Sequence, residues 1–169
     1  MDWRFLLYSA WFQLVWFIAV IGNQQLQWLT AFLAVLTLLY SQVRDPIKLE
    51  RLVLLAGVGI ALDCVNSYAG LFEFDSEGIP VWLASLWLVF LWYAYFLVQK
   101  LKVLPTWLIT ILGGAGGALS YIAGEKLSAV NFTLTVGMTG LIVFVEWAMM
   151  FWLIRKVYGY EGSKPTHYA

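Results

Sequence analysis

Apolar residues in this chain come in long runs, with little of the regular polar alternation of a half-buried strand. Six runs, residues 3–21, 26–43, 52–72, 81–98, 104–123 and 130–154, each approach the length that a helix needs to cross a bilayer, about 20 residues. The breaks between them are short, as at Gly22-Asn23-Gln24-Gln25, and none could hold a soluble domain. The first run is longer than the about 7–15 residues of a signal-peptide core, and no small-x-small cleavage site precedes a hydrophilic chain. It is therefore read as a retained span. The pattern predicts an all-α polytopic integral membrane protein: one six-helix transmembrane domain over residues 1–154 and a short cytoplasmic tail over 155–169.

Composition agrees. Of the 169 residues, 62% are apolar and 12% charged, with a mean hydropathy of +0.80. A soluble domain carries about 25% charged residues, so a water-soluble globule is excluded, and so is a disordered chain. Ten basic residues balance ten acidic ones, so no cationic excess points to nucleic acid. Their distribution is uneven. With six spans, nine of the ten basic residues (Arg4, Arg44, Lys48, Arg51, Lys100, Lys102, Arg155, Lys156 and Lys164) fall on one side. Lys126 is alone on the other, with the acidic loop Glu73, Asp75 and Glu77. The positive-inside bias then puts both termini in the cytoplasm. Trp3, Trp28, Trp82, Trp107 and Trp152 lie at span ends, where indoles favour the interface. Trp11, Trp16, Trp87, Trp92 and Trp147 lie deeper and are read as lipid-facing or packing residues, not as pocket walls.

At 100° per residue, Ala56, Gly59, Asp63, Asn66, Ser67 and Gly70 share one face of span three, opposite Leu54, Leu55, Val58, Leu62, Val65 and Ala69. Span five places Gly113, Gly117, Ser120 and Gly124 in one arc with Tyr121 at its edge, and span six aligns Asn131, Thr135, Thr139 and Glu146. These three stripes are expected to converge. Spans two and four carry no comparable stripe and are expected at the periphery. The run Gly113-Gly114-Ala115-Gly116-Gly117 suits close helix packing. It lacks the Gly-Lys-Ser/Thr ending of a phosphate-binding loop.

Asp63 and Glu146 stand out because an acid inside a membrane is costly and is usually tied to function. Counted from Leu52 and Ile154 they lie about 17 and 12 Å from the cytoplasmic ends of their spans. No basic residue lies at that depth, so each is expected to be protonated, to bind a cation or to meet a water-filled cavity. Simpler roles are weighed beside these: Asp63 and Asn66 bonding across a helix interface, Glu146 reaching towards water. Lys126 either pairs with Glu125 or the acidic loop, or holds an anionic head group or carboxylate. The candidate ligand-binding set is Asp63, Asn66, Ser120, Tyr121, Lys126 and Glu146.

One cysteine, Cys64, and one histidine, His167, exclude Cys/His nucleophilic centres, His-ligated metal clusters and an internal disulfide. No catalytic residue, metal ligand or cofactor is assigned. Two acids acting with water remain chemically allowed.

The stretch Gly113-Gly114-Ala115-Gly116-Gly117-Ala118-Leu119-Ser120-Tyr121-Ile122-Ala123-Gly124-Glu125-Lys126-Leu127-Ser128-Ala129-Val130 resembles the signature of an uncharacterised family of small bacterial inner-membrane proteins, catalogued as a domain of unknown function. The Trp11-Phe12 and Trp16-Phe17 region and the Leu62-Asp63 pair are similar to it too. The resemblance implies a bacterial cytoplasmic membrane, no assigned reaction, and genes beside lipid-modifying enzymes. Three functions are carried forward. The first is binding or transport of a small lipid-like or amphipathic molecule in a polar site between spans three, five and six. The second is an intramembrane lipid-modifying enzyme using Asp63 and Glu146. The third is a membrane scaffold for lipid-modifying enzymes. Expected partners are the lipid bilayer, such a ligand, a second copy of the chain or a membrane enzyme, and no nucleic acid.

Overall fold

The computed structural model describes residues 3–159. It contains six helices, α1 (Trp3–Gly22), α2 (Gln27–Arg44), α3 (Leu49–Tyr68), α4 (Val81–Leu101), α5 (Thr106–Lys126) and α6 (Val136–Gly159). Two short strands, β1 (Phe72–Glu73) and β2 (Asn131–Phe132), follow α3 and α5. The expected tail is helical as far as Gly159, and Lys164 and His167 lie outside the described residues. Four helices, α1, α4, α5 and α6, are long and apolar enough to cross a membrane. The other two are of similar length, 18 residues in α2 and 20 in α3, but carry more polar groups.

The centre of the bundle is α4, which packs against α1, α2, α3 and α6, while α5 packs chiefly on α6. This overturns the expected peripheral place of span four. A helix that is apolar all round is a buried helix, and the missing polar stripe in Trp82-Leu83-Ala84-Ser85-Leu86-Trp87-Leu88-Val89-Phe90 marks the core. Trp82, expected at the interface, is buried for the same reason. Span two does have a stripe: Thr30, Ala34, Thr37 and Ser41 are its buried residues. The hydroxyls of Thr30 and Thr37 donate to the carbonyls of Leu26 and Leu33 one turn back, at 3.2 and 2.7 Å. A small seam with its donors satisfied in this way can lie against another helix.

Hydrogen bonds at one end gather the N-terminus of α1, the α2–α3 and α4–α5 connections and the C-terminus of α6. Tyr8 Oη donates to Asp45 Oδ2 at 2.6 Å, Arg51 Nη1 to the Val157 carbonyl at 3.0 Å, and Arg155 Nη2 to the Leu104 carbonyl at 3.0 Å. The helices therefore alternate in direction. The opposite end is closed by an antiparallel clasp in which Phe72 faces Phe132 and Glu73 faces Asn131. Similar helix stops place the strands. Leu71 N–H returns to the Asn66 carbonyl at 2.8 Å with Gly70 at φ +72°, and Ala129 N–H returns to the Gly124 carbonyl at 2.9 Å with Ser128 at φ +59°. Both are left-handed terminations that reverse the chain.

These stops also correct two expected boundaries. The third helix ends at Tyr68 and not at 72, and the sixth begins at Val136 and not at 130. Asn131 is thus a strand residue and leaves the helical stripe of Thr139 and Glu146. On α3, Leu54 and Val65 are exposed as expected, whereas Leu55 is fully buried against the core.

Candidate functional site

Asp63 lies in the C-terminal half of α3, towards the clasp, 3% exposed, and both of its oxygens are used. Trp87 Nε1 of α4 donates to Oδ2 at 2.6 Å, and Tyr121 Oη of α5 lies 2.5 Å from Oδ1. One turn along α3, Asn66 Nδ2 donates to Glu146 Oε2 of α6 at 2.8 Å. The polar face read from the helical period of α3 therefore supplies ties to three other helices. Hydrogen bonds to a charged acceptor are short and stabilise by about 1.5–3 kcal/mol each. Indole is a pure donor, so it suits an acid with no basic partner.

The donors to Asp63 stand in a wall of rings. Trp87 stacks on Trp147 with centroids 5.0 Å apart and an interplanar angle of 14°. Trp147 also meets Phe90 at 4.9 Å and Tyr121 at 6.2 Å. Phe72 of the clasp stacks on Tyr121 at 5.0 Å and on Phe132 at 5.7 Å, covering that end of the site. The glycines of α5 make the wall sterically feasible. A Cβ on Gly117 would fall 2.1 Å from Trp147 Cγ, and one on Gly113 2.0 Å from Phe151 Cγ. Only a residue without a side chain lets these rings of α6 lie on α5.

Inside the wall is a small chamber of about 60 Å³, bordered by Trp16, Trp87, Ser120, Tyr121 and Trp147 among others. It adjoins a cleft of about 440 Å³ between α1 and α5, and the two share Phe12, Trp16, Phe90, Ser120 and Trp147. The cleft falls in the range of ligand pockets, about 300–1,000 Å³. Trp16 Nε1 donates to Ser120 Oγ at 2.8 Å across this seam.

Of the six residues singled out in the sequence, Ser120 and Tyr121 line the chamber. Asp63 stands directly behind it, and Asn66 with Glu146 forms the neighbouring tie. Lys126 is not brought to them. It lies at the clasp end, its side chain 66% exposed, with Nζ 3.1 Å from Glu125 Oε2, which is the simpler of its two expected roles. An exposed pair of this kind contributes about 0–1 kcal/mol. Among the deep tryptophans, Trp16, Trp87 and Trp147 line the chamber, a role the sequence reading set aside. For Trp87 the signal is concealed because Trp82, Trp87 and Trp92 recur every five residues and so spread around α4, and a central helix has buried surface on every side. Among the described residues no group of three or more His, Cys, Asp or Glu side chains could hold a metal ion.

No curated protein and no solved structure matches the chain. The family signature expected from residues 113–130 is borne out: the chain matches, over residues 5–153, the family model described as a protein of unknown function (DUF2878), and belongs to that family.

Proposed function

We propose that the chain is a six-span protein of the bacterial cytoplasmic membrane, both termini inward, that binds and carries a small amphipathic or lipid-like molecule. The observation that carries this reading is the aromatic chamber joined to the cleft between α1 and α5. In this reading Asp63 is a positioning residue. It fixes Trp87 and Tyr121 by accepting their polar hydrogens, so that the wall presents rings and a hydroxyl to the ligand. This moves the site from the polar stripes themselves to the space in front of them.

Native mass spectrometry of protein extracted gently from its own membrane tests the binding. One enriched small molecule is expected, much reduced in Asp63→Asn while the variant keeps its helical circular dichroism. Protein that is bare, or that carries only bulk phospholipid, refutes the reading. The orientation is supported by the basic residues gathered at the end that holds Arg4, Arg51 and Arg155. In a Cys64→Ser background, a membrane-impermeant maleimide on intact spheroplasts should label Asp75→Cys and leave Lys48→Cys unlabelled. The opposite pattern inverts the topology.

A further inference from the structure

The seam between α1 and α5 is one of the loosely packed contacts of the bundle. These helices are not among the closely packed pairs. Among the described residues the only side-chain hydrogen bond across the seam is Trp16 to Ser120. The clasp end is covered by Phe72 between Tyr121 and Phe132, so the open side of the site is the lateral one, between the apolar helices α1 and α5. A Cβ built on Gly116, which lines the cleft, would meet nothing within 4 Å, so the space along this face of α5 is empty.

The chemistry of the cleft narrows what fits it. None of its lining residues is Asp, Glu, Lys, Arg or His, and its side-chain polar groups are Gln13, Ser120 and the indole N–H donors of Trp16 and Trp147. Gln13 is exposed to the cleft halfway along α1, and no described residue hydrogen-bonds to its amide. Ser120 Oγ accepts from Trp16, and its own O–H has no acceptor among the described residues. Hydrocarbon offers an amide nothing, and a polar group left unpaired in it is costly. A ligand oxygen would satisfy both residues. A charged head group would enter without a counter-charge, a far larger cost.

We infer that the seam between α1 and α5 is a lateral portal for an uncharged lipid from the surrounding bilayer. Its chain lies along the glycine face of α5, and its hydroxyl, ketone or ester oxygen is held by Gln13 and Ser120. The Trp16–Ser120 bond is the latch that the lipid parts on its way to the chamber. This rests on the binding reading above and names its ligand class and route.

The test uses the full chain in phosphatidylethanolamine and phosphatidylglycerol vesicles doped with a diazirine-bearing long-chain alcohol. The same chain as an alkane and as a phosphate monoester serves for comparison. The alcohol should label peptides of α1 and α5, be displaced by excess unlabelled alcohol, and label more strongly than the phosphate. Gly116→Phe, whose Cβ meets nothing within 4 Å and whose ring extends into the cleft space, should abolish labelling with unchanged circular dichroism. Gln13→Leu should lower alcohol labelling by about three- to tenfold, the worth of one net hydrogen bond, and leave alkane labelling unchanged. Equal labelling by the phosphate overturns the uncharged class, and labelling that survives Gly116→Phe overturns the portal. If a co-purifying species persists in Gly116→Phe yet is lost in Asp63→Asn, the portal fails and the binding reading stands. If nothing co-purifies and no probe labels, both fail.

Discussion

Replacing Gly117 by alanine adds one carbon at the point where α5 supports the aromatic wall. That carbon would fall 2.1 Å from Cγ and Cδ2 of Trp147. Ordinary carbon contacts begin near 3.5 Å, so the ring must retreat by about 1.4 Å. It has little room to do so, being stacked on Trp87 at 5.0 Å and set edge-on to Phe90 at 4.9 Å. Overpacking of this kind costs about 1–3 kcal/mol. Alanine also gains about 1 kcal/mol over glycine in helix propensity, which obscures the packing cost in a single variant. Gly116 supplies the control. It lies next along the same helix with nothing within 4 Å of its Cβ position, so Gly116→Ala receives the propensity gain alone. The difference between the two isolates the packing, with Gly117→Ala less stable than Gly116→Ala by about 1–3 kcal/mol. Reversible unfolding in mild detergent by titration with sodium dodecyl sulfate, followed by circular dichroism, measures it. Equal midpoints for the two variants would show that Trp147 does not rest on Gly117, and the wall as described would be wrong.

Other outcomes follow from the same contacts. Asp63→Asn and Tyr121→Phe should be coupled in a double-mutant cycle by about 0.5–3 kcal/mol, because the two groups share a 2.5 Å hydrogen bond; additive losses would separate them. Glu146→Ala strands the amide of Asn66 and should cost about 1–3 kcal/mol, whereas Glu146→Gln keeps an acceptor and should cost clearly less; equal losses would remove the tie from the account. In a Cys64→Ser background, Glu73→Cys with Asn131→Cys should form a disulfide on mild oxidation, since these residues are directly opposed in the clasp. Failure of that pair to close, with the helices intact, would refute the clasp.

How much of this was legible depends on what each residue must satisfy. The buried face of α3 followed from the helical period alone, because Asp63 and Asn66, polar groups within an apolar span, had to face protein. Their partners did not follow. Trp87 and Tyr121 lie 24 and 58 residues from Asp63, and nothing local in the sequence pairs an indole with a distant acid. The central place of α4 is not legible from polarity, because an interior helix need carry no polar stripe. In a bilayer, lipid and core are equally apolar, and what distinguishes the central helix is bulk on every side. The clasp escaped because two-residue strands show no alternation. The available signal was Gly70 after α3, a left-handed stop followed at once by Leu71-Phe72. The cleft could not be read at all, since empty space between helices is a property of their packing and not of any one segment.

Three of the five deep tryptophans share a device. Trp11 donates to Thr37 Oγ1 at 2.9 Å, Trp16 to Ser120 Oγ at 2.8 Å and Trp87 to Asp63 Oδ2 at 2.6 Å, each joining two helices. Without a hydrophobic drive between helices in lipid, association rests on shape and on such polar ties, and an indole supplies a broad surface with one donor. The ties should not be equal. Trp87 serves a buried acid and Trp16 a neutral hydroxyl at an open seam. Trp87→Phe leaves Asp63 with one donor fewer and should cost at least about 1.5–3 kcal/mol, whereas Trp16→Phe forfeits a neutral bond of about 0.5–1.5 kcal/mol. Detergent unfolding should therefore rank Trp87→Phe well below Trp16→Phe. Lipid-probe labelling should move the other way, rising in Trp16→Phe as the latch is lost. If Trp16→Phe proves the more destabilised, or labels more slowly than the unaltered chain, that bond is a structural clamp and the seam between α1 and α5 does not open.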